Sequence, residues 1–221
     1  MKKILVIAPH PDDETIGCGG TLLRHRDHGD EISCVIVTKL KTNDQWTKES
    51  VVAKENEIEK VKKIYQFKSF DRFDFAPTEL DKMPFNLLVS KISNLFDKLK
   101  PEVIYIPNIN DVHTDHQVVS KAVMSSSKWF RSQSIKKIKM YETLSETNFN
   151  FSDNNDFNPN VFTEITKYLE KKVEICKCYA TEFKKHPFPR SEESIRSLAK
   201  LRGSQSGFEA AESFKLVFER N

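Results

Sequence analysis

The sequence predicts an α/β protein built on a Rossmann-like, mostly parallel sheet with helices on both faces. Three observations predict it. Short apolar runs alternate with stretches of helical period along the chain. The first run, Ile4–Ala8, is continuous rather than alternating, as in a strand covered on both faces. The 221 residues, 38% hydrophobic and 30% charged, suit one domain with one proper core. Residues 1–221 are therefore read as a single domain.

The elements follow in order. Ile4–Ala8 opens the sheet. A helix is expected near Gly19–His28, with Leu22 and Leu23 apolar and Gly29 as its C-terminal stop. Ile32–Thr38 is β-branched and apolar, a second strand. Trp46–Phe67 reads as a long charged helix with an apolar stripe of Val51, Val52, Ile58, Val61, Ile64 and Tyr65. Phe70–Phe75 is a weak strand. Leu87 to Leu99 has helical spacing, with Pro101 just beyond it, and Val103–Ile106 is a further buried strand. Val118–Met124 reads as helix and Ile135–Glu142 as extended. Thr147–Asn160 is polar and aperiodic, the long loop of the chain. Two helices are expected over about Ile165–Phe183 and Glu192–Leu201. Gly203 and Gly207 then break the pattern, and Phe214–Phe218 closes it as an apolar run. In a sheet of this kind, ligands bind beyond the carboxyl ends of the strands.

Composition excludes several classes. Lys+Arg 35 against Asp+Glu 32 gives +3, a weaker basic bias than nucleic-acid binders usually show. No apolar run approaches about 18 residues, so nothing is expected to span a membrane. The apolar core of the N-terminus is too short for a signal peptide. Cys18, Cys34, Cys176 and Cys178 make no disulfide framework in a chain this long, and reduced thiols in a cytoplasmic protein are expected.

Two polar clusters stand at predicted strand ends. The first is Pro9-His10-Pro11-Asp12-Asp13-Glu14. Its prolines hold the backbone extended. A bent, non-helical segment there aims His10 and Asp13 at one point, with Asp12 approaching from the side. Imidazole and carboxylate are good ligands for zinc and several other divalent ions. The competing reading is a polar turn that caps the next helix. The second cluster is Asn110 to Gln117. A helix starting near Thr114 or Asp115 puts His116 on its first turn and His113 just before it. His113, with Asp115 near, reads as a protonated imidazole acting as acid, and His116 as a third ligand. Two imidazoles and one carboxylate leave a coordination position open, the pattern of a catalytic rather than a structural zinc. Asp12 is then a spare carboxylate able to accept a proton. The implied chemistry is metal-assisted hydrolysis of an amide or ester.

Other features are weighed against plainer roles. Gly17, Gly19 and Gly20 fail the dinucleotide spacing, because Leu22 occupies the last glycine position. Close packing accounts for them better. Cys18 and the Cys176-Lys177-Cys178 pair are read as packing, and His25 and His28 as solvated. His186, in a Pro-rich turn, is a candidate for a substrate rim. Arg202 either pairs with a buried carboxylate or contacts substrate.

The stretch ILVIAPHPDDETIGCGG, Ile4–Gly20, closely resembles the opening of the LmbE-like (PIG-L) N-deacetylases. A second similarity is His113-Thr114-Asp115-His116. A third is Arg202-Gly203-Ser204-Gln205-Ser206-Gly207 followed by Ala211-Glu212-Ser213-Phe214, with His186-Pro187 and Arg190-Ser191-Glu192-Glu193 similar to a subset of the family. The resemblance implies His10, Asp13 and His116 as ligands of zinc, with iron(II) fitting the same set. It implies Asp12 as general base and His113 as acid or oxyanion partner, its charge tuned by Asp115. It implies removal of an acetyl group from an N-acetylglucosamine-type amino sugar, a small-molecule substrate, and assembly as a trimer or hexamer. Many relatives carry an Arg three residues before a Glu on the helix after the second strand. The matching pair here is Lys54 and Glu57, which makes Lys54, with Arg202, the candidate substrate contacts. The alternatives are an amidase of a thiol conjugate or other non-sugar amide, a metal-dependent phosphoesterase, and an inactive sugar-binding relative.

Overall fold

In the computed structural model, which describes residues 1–43, 46–151 and 157–221, the apolar runs become the central strands of a seven-stranded sheet. β1 (Lys3–Ala8), β2 (Glu31–Thr38), β3 (Ser69–Phe75), β4 (Val103–Pro107) and β5 (Lys137–Tyr141) are parallel, in the spatial order β3-β2-β1-β4-β5. β7 (Ala211–Glu219) runs antiparallel beside β5, and β6 (Val161–Glu164) pairs antiparallel with β7 at the edge. The chain winds outward from β1 to β3, then crosses to the other side of β1 at β4. The β1/β4 boundary is thus the switch point where a crevice opens at the carboxyl ends.

Every residue of β1 after Lys3 is buried because the sheet is covered on both faces. Ile4 and Val6 face a core built with α1 (Asp13–Asp27), α2 (Lys48–Tyr65), α5 (Leu169–Cys176) and α6 (Glu192–Ser206). Leu5 and Ile7 face the other core, with α3 (Phe85–Leu99) and α4 (Thr114–Ser126). A strand apolar on both faces reads as a continuous run, the signal seen in the sequence.

Several elements depart from expectation. α1 begins at Asp13, six residues early, and the segment expected to be non-helical already forms its first turn. The helix kinks at Cys18 (φ −146°, ψ 23°) and resumes. The resumed turn needs partners for its free N–H groups. Gly20 and Thr21 donate theirs to the Glu212 carboxylate at 2.9 and 2.7 Å. Lys172 neutralises Glu212 at 2.6 Å and also donates to the Ile16 carbonyl. The glycines serve close packing: a Cβ on Gly17 would lie 2.2 Å from the Tyr141 ring, and one on Gly20 2.7 Å from Ile165.

On α2, Val52 is exposed, and the inward stripe instead includes Lys54 and Glu57. On α3, Leu87 is exposed. The helix expected as far as Phe183 ends at Cys176. Beyond it Tyr179 turns inward to bond Glu14 at 2.8 Å, and the Ala180 N–H bonds Glu57 at 2.9 Å. α6 runs through Gly203 and stops at Gly207, whose φ of +78° closes it. Gly203 is required because the returning chain crosses it: a Cβ there would lie 2.6 Å from the Phe208 carbonyl oxygen. β6 was not foreseen, since four residues at the tail of the polar stretch carry little periodic signal. Part of that expected loop, 152–156, lies outside the described residues. Among the described residues no helix is long and apolar enough to cross a membrane.

Candidate active site

The two polar clusters meet at the switch point. His10 follows β1, and Asp12 and Asp13 cap and open α1. Asp111, His113 and His116 follow β4, with His113 capping α4. Parallel pairing of β1 with β4 brings the two strand ends side by side.

His10, Asp13 and His116 form the centre. Their ligating atoms all lie within 4.8 Å of one another. Asp13 Oδ2 is 3.4 Å from His10 Nδ1 and 3.3 Å from His116 Nε2. Charge-assisted hydrogen bonds are shorter, about 2.7–2.9 Å. Tetrahedral coordination at about 2.0–2.1 Å separates donor atoms by roughly 3.3–3.4 Å, which is the spacing found. The outer ring nitrogens are engaged as metal-ligating histidines require. His10 Nε2 meets Asp115 Oδ2 at 2.9 Å, and His116 Nδ1 meets Asp111 Oδ2 at 2.8 Å. The donor set fits a divalent transition metal.

Electrostatics agree. Burial pulls the His10 imidazole down, but Asp115 and Asp13 more than reverse it and push it up to about 9. Burial likewise opposes a charged His116, and Asp13 and Asp111 hold it well above the usual imidazole range. Three buried carboxylates, Asp13, Asp111 and Asp115, thus impose a negative potential that favours a cation at this point.

Asp12 sits beside that centre and outside the ligand group. It is buried, and its backbone has φ 122°, a strained conformation for a non-glycine residue. Its N–H is satisfied by Glu14 Oε2 at 3.1 Å, and its carboxylate accepts from Arg190 Nη1 at 2.8 Å. Burial and the neighbouring Asp13 push its carboxyl well above the usual range, while Arg190 opposes them.

His113 differs from expectation. Its Nδ1 accepts the Asp115 N–H at 3.1 Å, so the lone pair is on Nδ1 and the proton on Nε2. Burial and the nearby charges of His10 and His116 push it down to about 4. That shift favours the neutral imidazole, a hydrogen-bond donor through Nε2, over the imidazolium. The charge of the Asp115 carboxylate pushes His113 up, but less than burial and the two imidazoles push it down. That carboxylate accepts from the backbone N–H groups of Thr78 (2.7 Å) and Leu80 (3.2 Å) and holds His10.

These groups floor a cavity of about 280 Å³, walled by Thr38, Leu40, Trp46, Lys54, Glu146 and Arg190. Lys54 reaches the cavity while held by Glu57 (2.9 Å) and Thr181 (2.6 Å). Arg202 does not reach it. Its guanidinium grips Glu142 through Nε at 2.8 Å and Nη2 at 2.6 Å, away from this cavity. Of the two roles open to it, the carboxylate pair is the one found, part-buried, because Glu142 lies just past β5 and α6 packs on the neighbouring β7. His186 is exposed and absent from the wall, whereas Arg190 of the same turn lines it. Sequence reasoning gave no role to Arg190, Glu146 or Trp46. The run Arg190-Ser191-Glu192-Glu193 was the one signal for the first.

The chain is similar to known proteins over most of its length. Diacetylchitobiose deacetylase of Thermococcus kodakarensis is 25% identical over 98% of this chain and 84% of its own. A probable N-acetyl-α-D-glucosaminyl L-malate deacetylase of Bacillus anthracis is 24% identical over 82% of each. The solved structure of N,N'-diacetylchitobiose deacetylase from Pyrococcus horikoshii shares the fold, with a TM-score of 0.79 at 21% identity over 98% of this chain and 84% of that one. The GlcNAc-PI de-N-acetylase family, PIG-L, matches residues 5–127, more than half of the sequence. On that match, the chain belongs to the PIG-L family.

Proposed function

We propose that this protein is a metal-dependent deacetylase that cleaves the acetamide of an N-acetylglucosamine-type amino sugar or its conjugate, releasing acetate. One observation carries the reading. His10, Asp13 and His116 present donor atoms at coordination spacing, with the separate buried carboxylate of Asp12 alongside. The metal is proposed to be zinc, with iron(II) accommodated by the same donors. When bound, it would supply Lewis-acid polarisation of the amide carbonyl.

The chain's own residues supply the rest. Asp12 accepts the proton of the attacking water. Its raised proton affinity brings it nearer to working pH, where a base is most effective. Arg190 opposes that rise and aims the carboxylate. His113 donates its Nε2–H toward the negative charge that develops on the carbonyl oxygen. As the carbon–nitrogen bond breaks, Asp12 passes its proton to the leaving amine, since a neutral His113 has none to spare. Lys54 and Trp46 stand on the wall where a sugar ring and its hydroxyls would rest. Strands from both ends of the chain share one sheet, which supports treating 1–221 as one catalytic domain. Assembly as a trimer or hexamer rests on the family resemblance, and a cytoplasmic location on the free cysteines.

The test uses protein purified without chelator. Metal content is measured, and acetate release is followed with N-acetylglucosamine, N,N'-diacetylchitobiose and N-acetylglucosaminyl malate. The expected result is about one metal ion per chain and acetate from at least one substrate. Metal-loaded protein that binds these sugars and releases no acetate would support the inactive sugar-binding reading instead.

A further inference from the structure

A second cavity, of about 290 Å³, lies at the opposite end of the sheet from the active site. We propose that it binds a phosphate group, either free or as a phosphate monoester. Lys2 precedes β1 at its amino end, whereas His10 lies beyond its carboxyl end. The six residues of β1, at about 3.3 Å each, separate the two sites.

Charge carries the proposal. The lining contains Lys2, Arg24 and Lys139 against a single carboxylate, Asp30. That surplus of two positive charges matches a phosphate dianion. Asp30 is already engaged: Oδ2 by His25 Nδ1 at 2.7 Å and Oδ1 by the Lys2 backbone N–H at 2.7 Å. Among the described residues none of the three cations makes a side-chain ion pair. The carboxylate that could serve Lys139, Glu219 of β7, is held by Lys137 at 2.5 Å. Lys139 instead lies over the rings of Tyr105 (5.5 Å) and Phe214 (5.7 Å). Burial, with the charges of Lys137 and Lys2, pushes its ammonium down to about 8, a cost that a bound anion would relieve.

The negative end of the α1 dipole accounts for basic residues in its last turn, Arg24 among them. It does not account for Lys139, which is on a strand. Nor does it account for Thr21, whose buried hydroxyl on the cavity wall has no hydrogen-bond partner among the described residues. Such a group is costly unless a ligand or water satisfies it. Cations reaching in from β5, from α1 and from the chain before β1 suit a tetrahedral oxyanion with several acceptor oxygens. A guanidinium and two ammonium groups are the usual recognition set for that chemistry.

The test is calorimetric titration of the full-length protein with inorganic phosphate at constant ionic strength, with and without prior chelation of metal. Saturable binding that survives chelation is expected. Lys2→Gln, at an exposed position, and Arg24→Gln should each weaken it about tenfold or more. Glucose 6-phosphate run in parallel distinguishes the sources: tighter binding indicates a monoester, equal or weaker binding free phosphate. No saturation, unchanged affinity in both variants, or loss of binding on chelation would overturn the proposal; the last would place the phosphate at the His10 centre.

Discussion

Arg190 Nη1 donates to Asp12 Oδ2 at 2.8 Å, joining the turn before α6 to the residue that caps α1. The pair sits in the wall of the active-site cavity, and the Asp12 side chain is 3% exposed. A carboxylate this buried would otherwise be driven toward its neutral form.

Removing that charge should therefore impair the base. In Arg190→Met, the Asp12 carboxyl loses the guanidinium charge that lowers it, while burial and Asp13 still raise it. Because the ionised form is the active one, the acid limb of the kcat/KM–pH profile should move to higher pH. The rate at neutral pH should fall roughly tenfold or more. Arg190→Lys, which keeps the charge without the fork, should recover part of both. A pH–rate profile of the metal-loaded variants decides it.

The outer carboxylates should control metal retention. Asp111 is fully buried and holds His116 Nδ1, and Thr147 in turn donates to Asp111 at 2.6 Å. Asp111→Asn should lower metal affinity by about 10–100-fold. Chelation of the wild type should abolish acetate release, and added zinc should restore it. Competition with a calibrated chelator measures the affinity.

The kink in α1 should depend on a buried ion pair. Lys172 and Glu212 have side chains 6% and 4% exposed. Lys172→Met strands the Glu212 charge, and Glu212→Gln strands the Lys172 ammonium. Each should cost about 3–5 kcal/mol by denaturant titration, the double variant less than the sum. Burial opposes the Lys172 ammonium, yet Glu212 holds it above the usual lysine range. A raised lysine stabilises fully below its unfolded pKa, about 10.4, and the gain is lost only as pH rises through the folded value. The cost of Lys172→Met should therefore be constant between about pH 6 and pH 9.

Arg202 should separate stability from catalysis. Its bidentate pair with Glu142 also receives Ser213 Oγ at 2.6 Å, and none of the three lines the active-site cavity. Arg202→Met should cost roughly 2–3 kcal/mol of stability and leave kcat/KM within about twofold. A large rise in KM at unchanged stability would return Arg202 to substrate binding.

Local chemistry explains what the sequence revealed. The central strands were legible because burial on both faces leaves continuous apolar runs, as in Ile4–Ala8. The metal-type centre was legible because its residues lie within a few positions of two strand ends. What escaped notice depends on distant contacts. The resumption of α1 after its kink rests on Glu212, 192 residues from Gly20. The early end of α5 rests on Tyr179 reaching Glu14 across 165 residues. The tautomer of His113 is set by one backbone bond, which no side-chain spacing encodes. Arg190 lies 178 residues from Asp12, so only the family-like run Arg190-Ser191-Glu192-Glu193 pointed to it, and no spacing did.

The most direct measurement pairs metal content with acetate release for wild type and Asp12→Asn, assayed on the same preparations with the best N-acetylated substrate. The variant should keep about one metal ion per chain and lose acetate release by about a hundredfold or more. Full activity in the variant, or no acetate from metal-loaded wild type, would contradict Asp12 as the base of a deacetylase.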